Sequence, residues 1–201
     1  MIKNIITDMG NVLLRFDPEV SLAACCESGE EMDVIRRELF RGPEWIMGDL
    51  GQIRNEDRYP LVAKRIPEKY HKALKNVVDG WDICMEPLLG AKEFFAGMKD
   101  AGYRIFVLSN ACSKFDEYFP RHCDPGFFDG IVVSSKVKMQ KPEPGIYLYL
   151  LEKYSLDPKE CIFIDDVIGN VKGAKAVGIE GYLFEGDFEK LKNHIENKNK
   201  E

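Results

Sequence analysis

Five short runs rich in β-branched and aromatic residues punctuate this chain: Lys3 to Thr7, Arg104 to Leu108, Gly130 to Val133, Cys161 to Ile164 and Glu180 to Phe184. Their separation by segments of helical periodicity constrains the fold more than any other feature. Apolar side chains recur at helical spacing over Pro87 to Ala101, Ser113 to Phe119, Pro144 to Tyr154 and Val167 to Val177. Strand alternating with helix predicts right-handed βαβ crossovers, and so a parallel sheet with helices on both faces. Ile105-Phe106-Val107-Leu108 is apolar without alternation, as a strand buried on both faces must be.

The fold class expected is therefore α/β, a Rossmann-like parallel sheet core. One stretch breaks the alternation. From about Pro18 to Asp82 no run reads as a strand, and helix-like pieces cover Pro18 to Cys26, Glu30 to Phe40, Asn55 to Ala63 and Pro67 to Val78. Gly42-Pro43, Gly48, Gly51 and Pro60 punctuate them, which favours several short helices. The expected organisation is a core of residues 1–17 and 83–201 with a helical insertion, 18–82, after the first strand. The end, Glu189 to Glu201, is charged and lacks a sustained apolar face, so fraying is expected in its last residues.

Composition narrows the partners. Residues are 45% hydrophobic and 31% charged, and no apolar run approaches the roughly 20 residues that span a bilayer, which excludes disorder and a membrane partner. The net charge of −6 opposes attraction to a phosphate backbone, so nucleic acid is excluded while a small phosphorylated metabolite is not. Six cysteines contain no C-x-x-C pair and read as free, packing thiols. With no targeting segment visible in Met1 to Asp8, the expected location is cytoplasmic. Oligomeric state is not legible from the sequence.

Ligands of an open parallel sheet bind beyond the carboxyl ends of its strands. The first strand ends in Asp8-Met9-Gly10-Asn11, the second in Ser109-Asn110 and the fourth in Asp165-Asp166, while Lys141 follows the third. Taken singly, each has a structural reading: Asp8 as a turn cap, Ser109 as a helix cap, Lys141 as a solvated lysine. Together they suit a metal-bound phosphate. Adjacent carboxylates after Cys161-Ile162-Phe163-Ile164 repel unless a cation neutralises them, and hard oxygen ligands suit Mg2+.

These residues resemble the haloacid dehalogenase-like hydrolases. The four motifs of that family stand in order as Ile5-Ile6-Thr7-Asp8-Met9-Gly10-Asn11-Val12, Val107-Leu108-Ser109-Asn110, Lys141-Pro142 and Ile162-Phe163-Ile164-Asp165-Asp166, with Asn170, Gly173 and Ala174 following. The resemblance covers Met1 to Arg15 and Pro87 to Phe184, and it makes the insertion a small helical cap of the phosphatase and dehalogenase branch. It implies a phosphatase in which Asp8 attacks phosphorus and forms an aspartyl-phosphate. It further implies Mg2+ bound by Asp8, the Gly10 carbonyl and Asp166, with Asp165 supporting directly or through water. Ser109 and the Asn110 amide would bind phosphoryl oxygens, and Lys141 would neutralise the nucleophile and the developing charge.

The sequence departs from the family where many members carry a second Asp as general acid and base; Gly10 stands there. This resembles a branch with a D-x-G-N first motif, some of whose members act on sugar phosphates. Asp17 is the candidate replacement acid, with helix capping as its alternative role. Glu44, Trp45 and Asp49, in a Gly-bounded stretch of the cap, are candidates for substrate specificity, and the lid hinges are expected near Arg15 to Pro18 and Trp81 to Pro87. Two alternatives compete with a phosphatase: a metal-free haloacid dehalogenase, which has no need of paired acids after the fourth strand, and a non-catalytic phosphate-binding regulator.

Overall fold

The computed structural model describes residues 1–200. In chain order, β1 (Asn4–Thr7) and β2 (Leu14–Phe16) lead into five helices: α1 (Pro18–Cys25), α2 (Gly29–Ile35), α3 (Pro43–Asp49), α4 (Arg58–Ala63) and α5 (His71–Gly80). There follow β3 (Met85–Pro87), α6 (Ala91–Asp100), β4 (Arg104–Ser109), α7 (Phe115–His122), β5 (Gly130–Val133), α8 (Ser134–Val137) and α9 (Pro144–Lys153). The chain closes with β6 (Cys161–Asp165), α10 (Ile168–Ala176), β7 (Glu180–Leu183) and α11 (Phe188–Lys198).

Five strands form one parallel sheet in the order β5-β4-β1-β6-β7. Apolar clusters pack on both of its faces. Ile5, Val107 and Ile164 belong to one cluster, Ile6, Leu108 and Phe163 to the other, as the pleat of a doubly covered sheet requires. The α/β, Rossmann-like expectation is met. After β5 the chain returns to the far side of β1, so the switch point lies beside the carboxyl end of β1, where Asp8 follows Thr7.

All five expected strands form, with ends shifted by at most one residue. Between Pro18 and Cys84 no strand occurs among the described residues. Buried side chains of this helical stretch, among them Leu22, Leu74 and Val77, join the same apolar cluster as Ile5 and Val107.

Three differences from the sequence reading have physical causes. The chain enters and leaves the helical stretch through an antiparallel ribbon pairing Leu14 with Pro87 and Phe16 with Met85; three residues per strand are too few to show a period. The Gly-bounded stretch around Trp45 is a helix, α3, with Pro43 in its first turn. The C-terminal segment is not frayed through residue 200. Asp187 caps α11, Leu191 and Ile195 are fully buried four residues apart, and Asn199 hydrogen-bonds the backbone of Ile2. Two apolar positions sufficed where the sequence reading sought a longer stripe; Glu201 lies outside the described residues.

Candidate active site

A cavity of about 260 Å³ opens at the carboxyl end of the sheet. Its floor brings together Asp8, Gly10, Ser109, Asn110, Lys141 and Asp166, as the motif spacing predicts.

The β1 ladder runs one residue past its strand, because the Asp8 N–H donates to the Ile164 carbonyl at 2.8 Å. Asp8 Oδ1 accepts from the Met9 N–H and lies 2.7 Å from Lys141 Nζ. Its second oxygen has no protein partner. Lys141 Nζ also lies 2.7 Å from Asp165 Oδ2, so one almost fully buried ammonium bridges two carboxylates. Burial alone would lower the Lys141 pKa, but Asp8 and Asp165 outweigh it and hold the ammonium above its usual range. Burial pushes the Asp8 carboxyl up to about 7 against the pull of Lys141, and the charge of Asp165 adds to the rise.

Asp165 and Asp166, adjacent in sequence, do different things. Asp165 is fully buried, and both its oxygens are engaged: Oδ1 accepts from Val167 N–H and Asn170 Nδ2, and Oδ2 from Lys141 Nζ and Asn170 Nδ2. A carboxylate offers about four lone-pair sites, and all are taken. Its charge is shared with that of Asp8 on the one Lys141 ammonium, so its direct contacts are to protein donors, whereas those of Asp166 leave an oxygen open. Asp166 lines the cavity, anchored by Asn11 Nδ2 at 2.9 Å through Oδ2, with its other oxygen unpartnered.

The donor set fits a hard divalent cation. Asp8, Asp165 and Asp166 each place a carboxylate oxygen within 4.8 Å of the others. The free oxygens of Asp8 and Asp166 are the donors such an ion prefers, and Gly10 lines the cavity with them.

Three asparagines supply positioning that the sequence reading did not assign. Asn11, at φ 52°, ties Asp166 to the backbone N–H of Phe16 through its two amide ends. The Asn110 side chain clamps the backbone of Lys141, accepting from its N–H and donating to its carbonyl, both at 2.9 Å. Asn170 fixes Asp165. Gly173 lets α10 approach the turn after Lys141, since a Cβ there would lie 2.5 Å from the Pro142 carbonyl oxygen. Ser109 is buried at the end of β4, its hydroxyl unpartnered by protein and facing the cavity.

The candidates outside the sheet separate. Asp17 caps α1 through the Glu19 N–H and pairs with Arg15 at 2.9 Å; it does not line the cavity, so the structure does not bring this candidate acid to the site. Glu44 is also turned away, its carboxylate held by both Nη atoms of Arg65 at 2.6 and 2.5 Å. Arg65 keeps the Glu44 carboxyl below its ordinary range even though burial works against it. Trp45 and Asp49 do line the cavity, joined by Phe16, Trp81, Met85 and Tyr118, which the sequence reading missed. Nothing in their local spacing marks them, because they come from a ribbon and helices far apart in the chain.

Asp49 is held from two sides. Its backbone carbonyl accepts from Ser134 Oγ, and its Oδ1 lies 3.5 Å from Arg58 Nη2, leaving Oδ2 without a protein partner. Arg58 is fully buried, 4.1 Å above the Trp45 ring, and also donates to Asn55 Oδ1 and to the Trp45 carbonyl. Burial pushes the Asp49 carboxyl up to about 6, with Arg58 opposing the rise.

Known proteins similar to this chain share its fold. The sesquiterpene phosphatase astK of Aspergillus oryzae is 27% identical over 182 residues, covering 89% of this chain and 88% of that one. A glyceraldehyde 3-phosphate phosphatase of Methanopyrus kandleri is 23% identical over 195 residues, covering 89% of this chain and 82% of the relative. A HAD family enzyme of Bacteroides thetaiotaomicron, solved as a mutant with magnesium and inorganic phosphate, superposes with a TM-score of 0.76 at 21% identity, over 95% of this chain and 99% of that one. The family profile described as haloacid dehalogenase-like hydrolase matches residues 2–178, so the chain belongs to the haloacid dehalogenase-like hydrolases.

Proposed function

We propose that the protein is a Mg2+-dependent phosphatase that hydrolyses a small phosphomonoester through an aspartyl-phosphate on Asp8. The observation that carries this reading is the unpartnered oxygen of Asp8 on a cavity floor shared with the Ser109 hydroxyl and the Lys141 ammonium. The phosphatase names of two relatives and the magnesium and phosphate bound by the Bacteroides enzyme support it.

In this mechanism the free oxygen of Asp8 attacks phosphorus in line, the ester P–O bond breaks, and water then hydrolyses the acyl phosphate. Lys141 restrains the other oxygen of Asp8 and lets an anionic substrate approach an anionic nucleophile. Ser109 Oγ and the Asn110 N–H donate to the phosphoryl oxygens. Asp8, the Gly10 carbonyl and Asp166 would hold Mg2+, which would supply Lewis-acid polarisation of the phosphoryl group. Asp165 acts on the reaction by orienting Lys141. The helical segment 18–82 serves as a cap that excludes water, hinged at the β2–β3 ribbon.

A sugar phosphate is the substrate class that the D-x-G-N resemblance suggests. A metal-free dehalogenase has no use for an Asp166 anchored by Asn11, and that anchoring favours the phosphatase. The test is release of inorganic phosphate from a panel of phosphomonoesters with and without Mg2+. Turnover is expected to vanish in excess chelator, to return with Mg2+, and to fall to background in Asp8→Asn. Full activity in chelator, or near-normal release by Asp8→Asn, refutes the reading.

A further inference from the structure

The phosphate floor is polar, but the space above it is not. Phe16, Trp45, Trp81, Met85 and Tyr118 wall the cavity. Their rings form a continuous chain of contacts, Phe16 stacked on Trp45 at 5.9 Å, then edge-on contacts of Trp45 with Trp81 at 5.1 Å and of Trp81 with Tyr118 at 5.4 Å between centroids. Most polar atoms near this wall are already engaged. Trp81 Nε1 donates to Asn55 Oδ1, the Asn11 amide is used at both ends, and Arg58 lies behind Trp45 with its nitrogens directed at protein acceptors. Among the described residues, those left without a protein partner are Trp45 Nε1, Asp49 Oδ2 and the Tyr118 hydroxyl. A hexose phosphate carries a hydroxyl on nearly every ring carbon, each a donor and a double acceptor, and would leave several unpaired here. The volume of about 260 Å³ falls just below the range of about 300–1,000 Å³ typical of small-molecule pockets.

From this wall we infer that the organic part of the substrate is compact and apolar, an aryl or cyclic or branched alkyl group, and not a sugar. The inference rests on the phosphatase reading and departs from the sugar phosphate suggested by the motif resemblance. Cyclohexylmethyl phosphate and glucose 6-phosphate provide the test, since both are primary phosphate esters of a six-membered ring that differ mainly in hydroxyls and ring oxygen. The carbocycle is expected to have at least about tenfold higher kcat/KM, the discrimination that one unpaired buried hydroxyl produces. Equal or higher kcat/KM for glucose 6-phosphate overturns the inference. Binding of the two corresponding non-hydrolysable phosphonates, measured by calorimetry, ranks the same two groups without turnover. If neither ester is hydrolysed, the phosphatase reading fails, while the phosphonate ranking still decides the class of group the wall accepts.

A separate observation concerns the proton. An alkyl leaving group departs as a strong base, Gly10 offers no side chain to protonate it, and Asp17 faces elsewhere. Asp49 lines the same cavity as Asp8, and its Oδ2 has no protein partner among the described residues, while its Oδ1 is held by Arg58 and its backbone by Ser134. We propose that Asp49 is the general acid and base of this enzyme, supplied by α3. When Asp8 attacks phosphorus, the electron pair of the breaking P–O bond passes to the leaving oxygen, which takes the proton of the Asp49 carboxyl. The Asp49 carboxylate then accepts a proton from the water that attacks the acyl phosphate, and Asp8 is released as carboxylate with inorganic phosphate. A carboxyl raised to about 6 suits both halves near neutral pH.

The readout is the dependence of log kcat/KM on leaving-group pKa across aryl and alkyl phosphates of matched size, in wild type and in Asp49→Asn. Because each slope is taken within one protein, it is insensitive to the fraction folded. The variant is expected to lose about 10²-fold or more on alkyl esters, and at least tenfold less than that on 4-nitrophenyl phosphate, giving a steeper slope. Parallel slopes with equal losses across the series overturn the assignment.

Discussion

Two buried acid–base pairs each present a carboxylate to the same cavity, and they are built differently. On the floor, Lys141 sits 2.7 Å from both Asp8 and Asp165, and Asp165 has every lone pair engaged. On the wall, Arg58 approaches Asp49 at 3.5 Å and directs its other contacts to Asn55 and backbone carbonyls. The close network fixes Asp8 and Asp165 around one ammonium, yet burial still carries the Asp8 carboxyl up to about 7. The looser pair leaves a carboxyl whose protonation can change, because desolvation outweighs the guanidinium. Burial thus raises both Asp8 and Asp49, and the two pairs differ in how firmly each carboxylate is held.

Neutralising the cation in each pair breaks this comparison most severely. Lys141→Met leaves two buried carboxylates without their counter-charge, and the expected loss is about 3–5 kcal/mol in urea denaturation at neutral pH, together with activity at background. Arg58→Met is expected to cost about 2–3 kcal/mol, nearer the value of lost charge-assisted hydrogen bonds, while phosphate release stays measurable. Equal stability losses in the two variants would show that the floor and wall pairs are energetically alike.

The pH dependence of stability sharpens the same point at somewhat smaller scale. The Asp49 carboxyl is raised from 3.8 to about 6 by folding, so its proton stabilises the native state fully below pH 3.8, and that contribution is lost as pH rises through about 6. Two pKa units correspond to roughly 2–3 kcal/mol. The wild-type unfolding free energy, relative to Asp49→Asn, is expected to fall by up to this amount between pH 4 and 7. A constant difference across that window would mean that Asp49 does not titrate on folding there.

The smallest effect contrasts Gly10, on the floor, with Gly173, which packs behind it against the Lys141 turn. Gly173→Ala is expected to destabilise by about 1–3 kcal/mol and to lower kcat, because its Cβ would meet the Pro142 carbonyl and push α10 from the Lys141 turn. Gly10→Ala meets nothing within 4 Å and is expected to stay within about 0.5 kcal/mol of wild type by thermal melting.

The floor was legible because its groups sit at fixed offsets from apolar strands. Asp8 directly follows Ile5-Ile6-Thr7, and Asp166 follows Ile162 to Asp165, so recognising the strands located the chemistry. The division of labour between Asp165 and Asp166 was not legible, since adjacent acids look alike until Asn170 and Asn11 are seen to bind one each. Asp17 and Glu44 were misplaced for a related reason. A carboxylate near the crevice in sequence can still be captured locally, by a helix N-terminus or by Arg65.

The sequence by itself determined the alternation that makes a parallel sheet, the helical stretch within it and the polar residue at each strand end, because these follow from local periodicity and from adjacency along the chain. Only the tertiary structure decided which side chains wall the cavity above its polar floor. Phe16, Trp45, Trp81, Met85 and Tyr118 meet there from five separate elements. Their convergence depends on how helices pack over long loops of chain, and packing of that kind leaves no fixed spacing in the sequence.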